Sequence, residues 1–144
     1  MFSKACQYGI KAAIFIAIKS QEKSRVNLSD ISKEIDSPIA FTAKVLQKLS
    51  KNGIIDSVKG AAGGFEIKSD QLDKIMISQI VDSIDGNPVY TNCGLGFGNC
   101  SETRPCSVHF KFKSIRDDLK EMLETTSLLE LSNNINNKLA FMRR

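Results

Sequence analysis

Apolar residues recur at helical spacing from the start of the chain. Ala5, Tyr8, Ala12, Phe15 and Ile16 mark one face of a helix over residues 4–19, and Ile10, Ile14 and Ile18 widen it. A stripe that broad predicts a helix buried on more than one side. Leu28, Ile31 and Ile35 repeat the spacing in a shorter helix, with Asn27 placed to cap it and Asp30 at its third position. Asp36 and Ser37 break the pattern. Ser37 is then expected to cap a further helix with Pro38 in its first turn, where a missing N–H costs nothing. Val45, Leu46 and Leu49 face inward from that helix, and Asn52-Gly53 ends it.

Beyond Gly53 the period changes from helical to alternating. Residues 54–58 and 65–67 read as strands, separated by the small, flexible run Lys59-Gly60-Ala61-Ala62-Gly63-Gly64. Two short helices joined by a tight turn, followed at once by a hairpin, predict a winged helix-turn-helix. Residues 77–85 form one more short helix, closed by Gly86. Residues 87–106 show no period, which is unusual for so long a stretch inside a compact chain. Val108, Phe112, Ile115, Leu119 and Met122 then step by 4, 3, 4 and 3, a heptad seam on a long helix. Such a seam packs either on the body of the domain or on a second chain. Ser127 and Glu130 open a last short helix, and the Asn-rich stretch 133–137 and the Arg143-Arg144 end are expected to fray.

The expected fold is therefore mainly α with a small β-hairpin wing, a winged helix-turn-helix plus a long C-terminal helix. Three segments follow: 1–86, the winged helix; 87–106, a Cys-rich loop; and 107–144, the long helix and the short one after it. With 144 residues, 42% of them hydrophobic and 25% charged, the chain has the composition of a packed domain. The longest apolar run, residues 12–18, falls short of the roughly 20 needed to span a bilayer. Lys11 interrupts the N-terminal segment and no small-residue cleavage site follows, so no export signal is expected and the cytoplasm is the default location.

The net charge of +4 is unevenly placed. Residues 1–70 hold 11 Lys/Arg against 7 Asp/Glu, whereas residues 71–144 hold 9 of each. The excess matters because of where it falls. On the second helix of the pair, the outward positions are read as Ala40, Phe41, Thr42, Lys44, Gln47, Lys48 and Lys51. Small and polar groups let such a helix sink into a major groove. There Thr42, Lys44 and Gln47 are placed to meet base edges, and Lys48 and Lys51 to meet phosphates. Lys59 and Gly60 lie at the hairpin tip, where backbone can approach double-stranded DNA closely. Lysines alone are usually a solvated face. Helix pair, basic face and Gly-rich basic wing in this order point to DNA. No nucleophile–base pair or phosphate-binding motif is visible, so no catalytic site is expected.

Cys93, Cys100 and Cys106 crowd into fourteen residues, while Cys6 lies on the apolar first helix and reads as core. The spacing Cys-x6-Cys-x5-Cys lacks the Cys-x2-Cys knuckles of structural zinc sites. Thiolates on a Gly-rich loop suit an iron–sulfur cluster, because Gly lets the backbone wrap closely and donate N–H groups to sulfur. Zinc, a metal-free thiol redox switch and three idle thiols stay open on spacing alone. His109, the only histidine, lies one helical turn past Cys106 and is a candidate fourth donor.

These residues resemble the Rrf-type bacterial transcriptional regulators. The likeness spans nearly the whole chain and is most specific over residues 46–65, from Leu46-Gln47-Lys48 through Gly63-Gly64-Phe65. The run Ile80-Val81-Asp82-Ser83-Ile84-Asp85-Gly86 resembles the helix before the family's cluster loop. Cys93, Cys100, Cys106 and the Cys-x-x-His ending at His109 resemble the ligand set of cluster-bearing members. The resemblance implies a homodimer built on the long helix, with two winged-helix heads on a palindromic operator. It also implies a [2Fe–2S] or [4Fe–4S] cluster, one per subunit and readily lost on purification. It further implies a regulator, expected to be a repressor, that senses iron–sulfur status, redox state or nitric oxide.

Overall fold

The computed structural model describes residues 2–86 and 88–142. The Arg143-Arg144 end, expected to fray, lies outside the described residues. The elements in chain order are α1 (Lys4–Gln21), α2 (Leu28–Glu34), α3 (Ile39–Lys51), β1 (Asp56–Val58), β2 (Gly64–Glu66), α4 (Ile77–Ile84), α5 (Pro88–Thr91), α6 (His109–Thr125) and α7 (Leu128–Asn136). Among the described residues the expected architecture holds, mainly helical with one two-stranded antiparallel sheet.

Helix α1 is the spine. It touches α2, α3, α4, α7 and β2, which is why its apolar positions spread around so much of its circumference. Ala12, Ala13, Ile16 and Ala17 are fully buried, as are Ile31, Leu46, Leu49, Ile80 and Leu128. Each buried Leu or Ile contributes roughly 1.5–3 kcal/mol relative to exposure. Cys6 is fully buried as well, against Ile77, Val81 and Leu123. Burial first, then the charge of Asp85 and a hydrogen bond with it, pushes its thiol up to about 12. It is a core residue without reactive character.

The caps follow the sequence in two of three cases. Asn27 accepts from the Asp30 N–H at 2.8 Å, and Ser127 accepts from the Glu130 N–H at 3.1 Å. The third expectation is corrected. Pro38, not Ser37, occupies the cap position of α3, and no side chain caps that helix. Ser37 instead accepts from Ser32 Oγ through its carbonyl, across the tight turn that Asp36 makes at φ +53°.

In the hairpin, Asp56 pairs Glu66, Ser57 pairs Phe65 and Val58 pairs Gly64. Phe65 also bridges Val26, so a third stretch of chain runs beside the wing. Gly64 sits there at φ +137°, and a Cβ on it would lie 2.7 Å from the Val26 carbonyl oxygen. Only glycine lets the three stretches come this close. Arg25 fixes the far edge, with Nε 3.0 Å from Glu66 Oε2 and Nη1 donating to the Ala62 carbonyl at 3.2 Å.

The Asn-rich stretch was expected to fray, but residues 133–136 belong to α7. Gln21 accounts for the difference. Its amide donates to Ser132 Oγ at 2.9 Å and to Asn133 Oδ1 at 3.1 Å, and its oxygen accepts from Asn136 at 2.9 Å. With Leu128 in the main core, α7 returns to the winged helix. Helix α7 is therefore packed into the same core as α1. Helix α6 lies between, resting on α4 and α5.

Candidate functional site

Two regions carry the candidate residues. The first is α3 with the hairpin. Ala40, Lys44, Gln47, Lys48 and Lys51 are exposed and, at steps of 4, 3, 1 and 3, form one stripe along α3. Lys59 and Gly60 are exposed at the hairpin tip. Two residues read as outward are not. Thr42 has no exposed surface, and its hydroxyl donates to the Pro38 carbonyl at 2.9 Å. Phe41 is half-buried, its ring edge-on to Tyr8 with centroids 5.6 Å apart. Both point toward the body of the domain. The spacing 42, 45, 46, 49 already groups Thr42 with Val45, Leu46 and Leu49, but its polarity suggested the wrong face.

The second region is the loop between α4 and α6. It was expected to be irregular, but it opens with the single turn α5 and then folds back as a small hairpin. Asn92 and Asn99 form an antiparallel bridge. Cys93 N–H donates to the Gly98 carbonyl at 2.8 Å and Cys100 N–H to the Thr91 carbonyl at 2.9 Å. Gly94 leaves room for the Phe112 ring where the loop meets α6, since a Cβ there would fall 2.0 Å from it.

This folding brings Cys93, Cys100, Cys106 and His109 around one cavity of about 50 Å³, together with Phe97 and Arg104. They meet in two pairs. Cys100 Sγ lies 3.1 Å from His109 Nδ1. Cys93 and Cys106 share a hydrogen bond, and the Cys93 thiol is held below its ordinary value. The largest cause is the Phe97 N–H, followed by that of Leu95, with Cys106 and the Gly96 N–H adding to it. All four cysteines are free. Among the described residues no three His, Cys, Asp or Glu side chains come together closely enough to hold a metal ion.

His109 is 2% exposed, and its Nε2 is buried without a partner. A buried ring nitrogen left open is costly and calls for an explanation. One residue escaped the sequence reading. Arg116 Nη2 donates to Cys100 Sγ at 3.1 Å, and Nη1 donates to the Asn92 carbonyl at 3.1 Å. Its signal is the step of seven that places His109, Arg116 and Leu123 on one side of α6.

The seam of α6 is partly uncovered. Phe112 and Leu119 are half-buried, but Ile115 is 59% and Met122 49% exposed. Phe110, on the opposite side of α6, is 70% exposed. Leu123, outside the seam, is buried against Cys6, Ile77 and Val81, and Leu119 on the seam packs against the same cluster. No helix of the described residues is long and apolar enough to cross a membrane.

A helix pair with an exposed basic stripe, a Gly-rich wing and a Cys-bearing loop on a long helix define a winged-helix regulator of transcription. The family profile Rrf2, described as "Iron-dependent Transcriptional regulator", matches residues 2–134, and the chain belongs to that family. It is 32% identical over 135 residues to an HTH-type transcriptional regulator of Aquifex aeolicus (strain VF5), covering 92% of each chain. It is 29% identical over 128 residues to the HTH-type transcriptional regulator IscR of Escherichia coli O1:K1 / APEC, covering 89% of this chain and 77% of that one. The fold superposes on CymR (YrzC), the global cysteine regulator of B. subtilis, with a TM-score of 0.76 at 22% identity, covering 92% of this chain and 96% of that one. These relatives are transcriptional regulators, and the chain is one of them rather than an enzyme.

Proposed function

We propose that this regulator works in the cytoplasm as a homodimer, as a repressor, and that an iron–sulfur cluster on each subunit sets its hold on a palindromic operator. The stripe Ala40, Lys44, Gln47, Lys48 and Lys51 enters the major groove, and Lys59 and Gly60 follow the adjacent backbone. The partly uncovered seam of α6 pairs with a second copy. Two heads related by a twofold axis then meet half-sites about 34–36 Å apart.

The observation that carries the cluster reading is the cavity shared by Cys93, Cys100, Cys106 and His109. The donor set fits the group. Three thiolates and an imidazole are soft to intermediate ligands, N–H groups already point at the Cys93 sulfur, and His109 Nε2 lacks any other partner. The cavity is small, so binding would widen it around the Cys100–His109 and Cys93–Cys106 pairs and move the loop against α6. When bound, such a cluster supplies one-electron redox chemistry and reactivity toward nitric oxide. His109 opens α6, so its side chain links the loop to the helix that carries the seam. Where the loop orders differently, the placement of the two heads changes, and with it the fit to both half-sites.

Anaerobic purification followed by iron and sulfide assay and an ultraviolet–visible spectrum tests this. Coloured protein with iron and sulfide is expected, lost in Cys100→Ser and His109→Ala. Colourless protein after reconstitution overturns it. In that case the contact between Cys93 and Cys106 favours a metal-free thiol switch. Peroxide would then take two electrons from the pair and leave as water, and mass spectrometry would find the Cys93–Cys106 disulfide.

A further inference from the structure

Arg116 is half-buried on α6, seven residues past His109. Its guanidinium fork spans the loop. One arm reaches Cys100 Sγ and the other the Asn92 carbonyl, each at 3.1 Å. Asn92 stands on one side of the loop hairpin, bridged to Asn99, and Cys100 follows on the other. Arg116 Nε is buried and unpartnered, and none of the ion pairs among the described residues includes this side chain. Its Nε is out of water with no acceptor of its own, and a negative group beside the guanidinium offsets that cost. A metal-bound thiolate at Cys100 would be such a group, and Arg is suited to hold two acceptors at once.

We propose that Arg116 is the positioning residue that ties the cysteine loop to α6. It grips Cys100 and Asn92 together, so both sides of the loop hairpin move with the helix that carries the seam. Release of Cys100 therefore frees the first side of the hairpin as well. The assignment deepens the cluster reading and takes its regulatory meaning from it. The grip itself is a property of the metal-free chain.

The test uses the full chain and two variants, Arg116→Gln and Arg116→Lys. Neither retains the fork, but the second keeps the charge and the aliphatic stem. In reduced, metal-free protein, amide hydrogen exchange at Cys93 and Cys100 should quicken roughly tenfold in both variants, with α2 and α3 unchanged. After reconstitution with iron and sulfide, the reduction potential should fall in Arg116→Gln and stay near wild type in Arg116→Lys, because only the first removes a positive charge beside a ligand. Unchanged exchange at Cys93 and Cys100 would overturn the tether, and so would equal acceleration throughout α2 and α3. A potential that does not fall in Arg116→Gln would overturn the charge's place beside Cys100. If no iron or sulfide is taken up, the cluster reading fails while the exchange measurement still decides the tether.

Discussion

The Thr42 hydroxyl turns back to the Pro38 carbonyl and reaches no solvent. A valine of nearly the same shape would lose that bond and keep the packing. Thr42→Val should therefore cost about 1 kcal/mol in urea unfolding and leave operator preference unaltered. Changed base preference with unchanged stability would restore Thr42 to the DNA face. Its neighbour Lys44 could be placed correctly from sequence, because a lysine on an apolar-striped helix has only one affordable side. Thr42 could not, since a hydroxyl is satisfied equally by water or by a carbonyl one turn back. The same limit hid Arg116. Charge alone suggested solvent, and only the fold shows two acceptors brought within reach from residues far away in sequence.

Helices were the most readable elements, since period announces the buried face and, at Asn27 and Ser127, a cap announces the start. Helix α6 was legible by period alone, although its most buried apolar residue, Leu123, lies beside the seam rather than on it. The Cys-rich loop was least readable because its order comes from hairpin bonds and from the contact of Gly94 with Phe112, which leave no period. On α3 and the wing the expectation is quantitative. Lys48→Ala and Lys59→Ala should each weaken binding to all duplexes and reduce the slope of log K against log salt by roughly one. Titrations at several salt concentrations measure this. Slopes equal to wild type in both variants would place DNA on another face.

At the level of the whole molecule, Ile115 and Met122 leave an apolar strip facing outward on a charged helix. Ile115→Asp should convert a dimer to monomer in sedimentation velocity while the far-ultraviolet circular dichroism stays the same. It should also reduce affinity for a two-half-site operator far more than for a single half-site. A wild-type monomer at micromolar concentration would refute the pairing. Sequence showed that a seam exists but not which side of α6 it occupies relative to the core, because a heptad pattern looks alike in both roles.

The return of α7 onto α1 has a consequence for how a signal travels. The cysteine segment is an excursion that leaves one packed core at α4 and re-enters the same core through α6 and α7. Its two ends are pinned, so a rearrangement within it has no loose end in which to dissipate. In the homodimer proposed above, the head keeps its α1–α7 packing while the sulfurs rearrange, and what changes is how it is aimed relative to its twin.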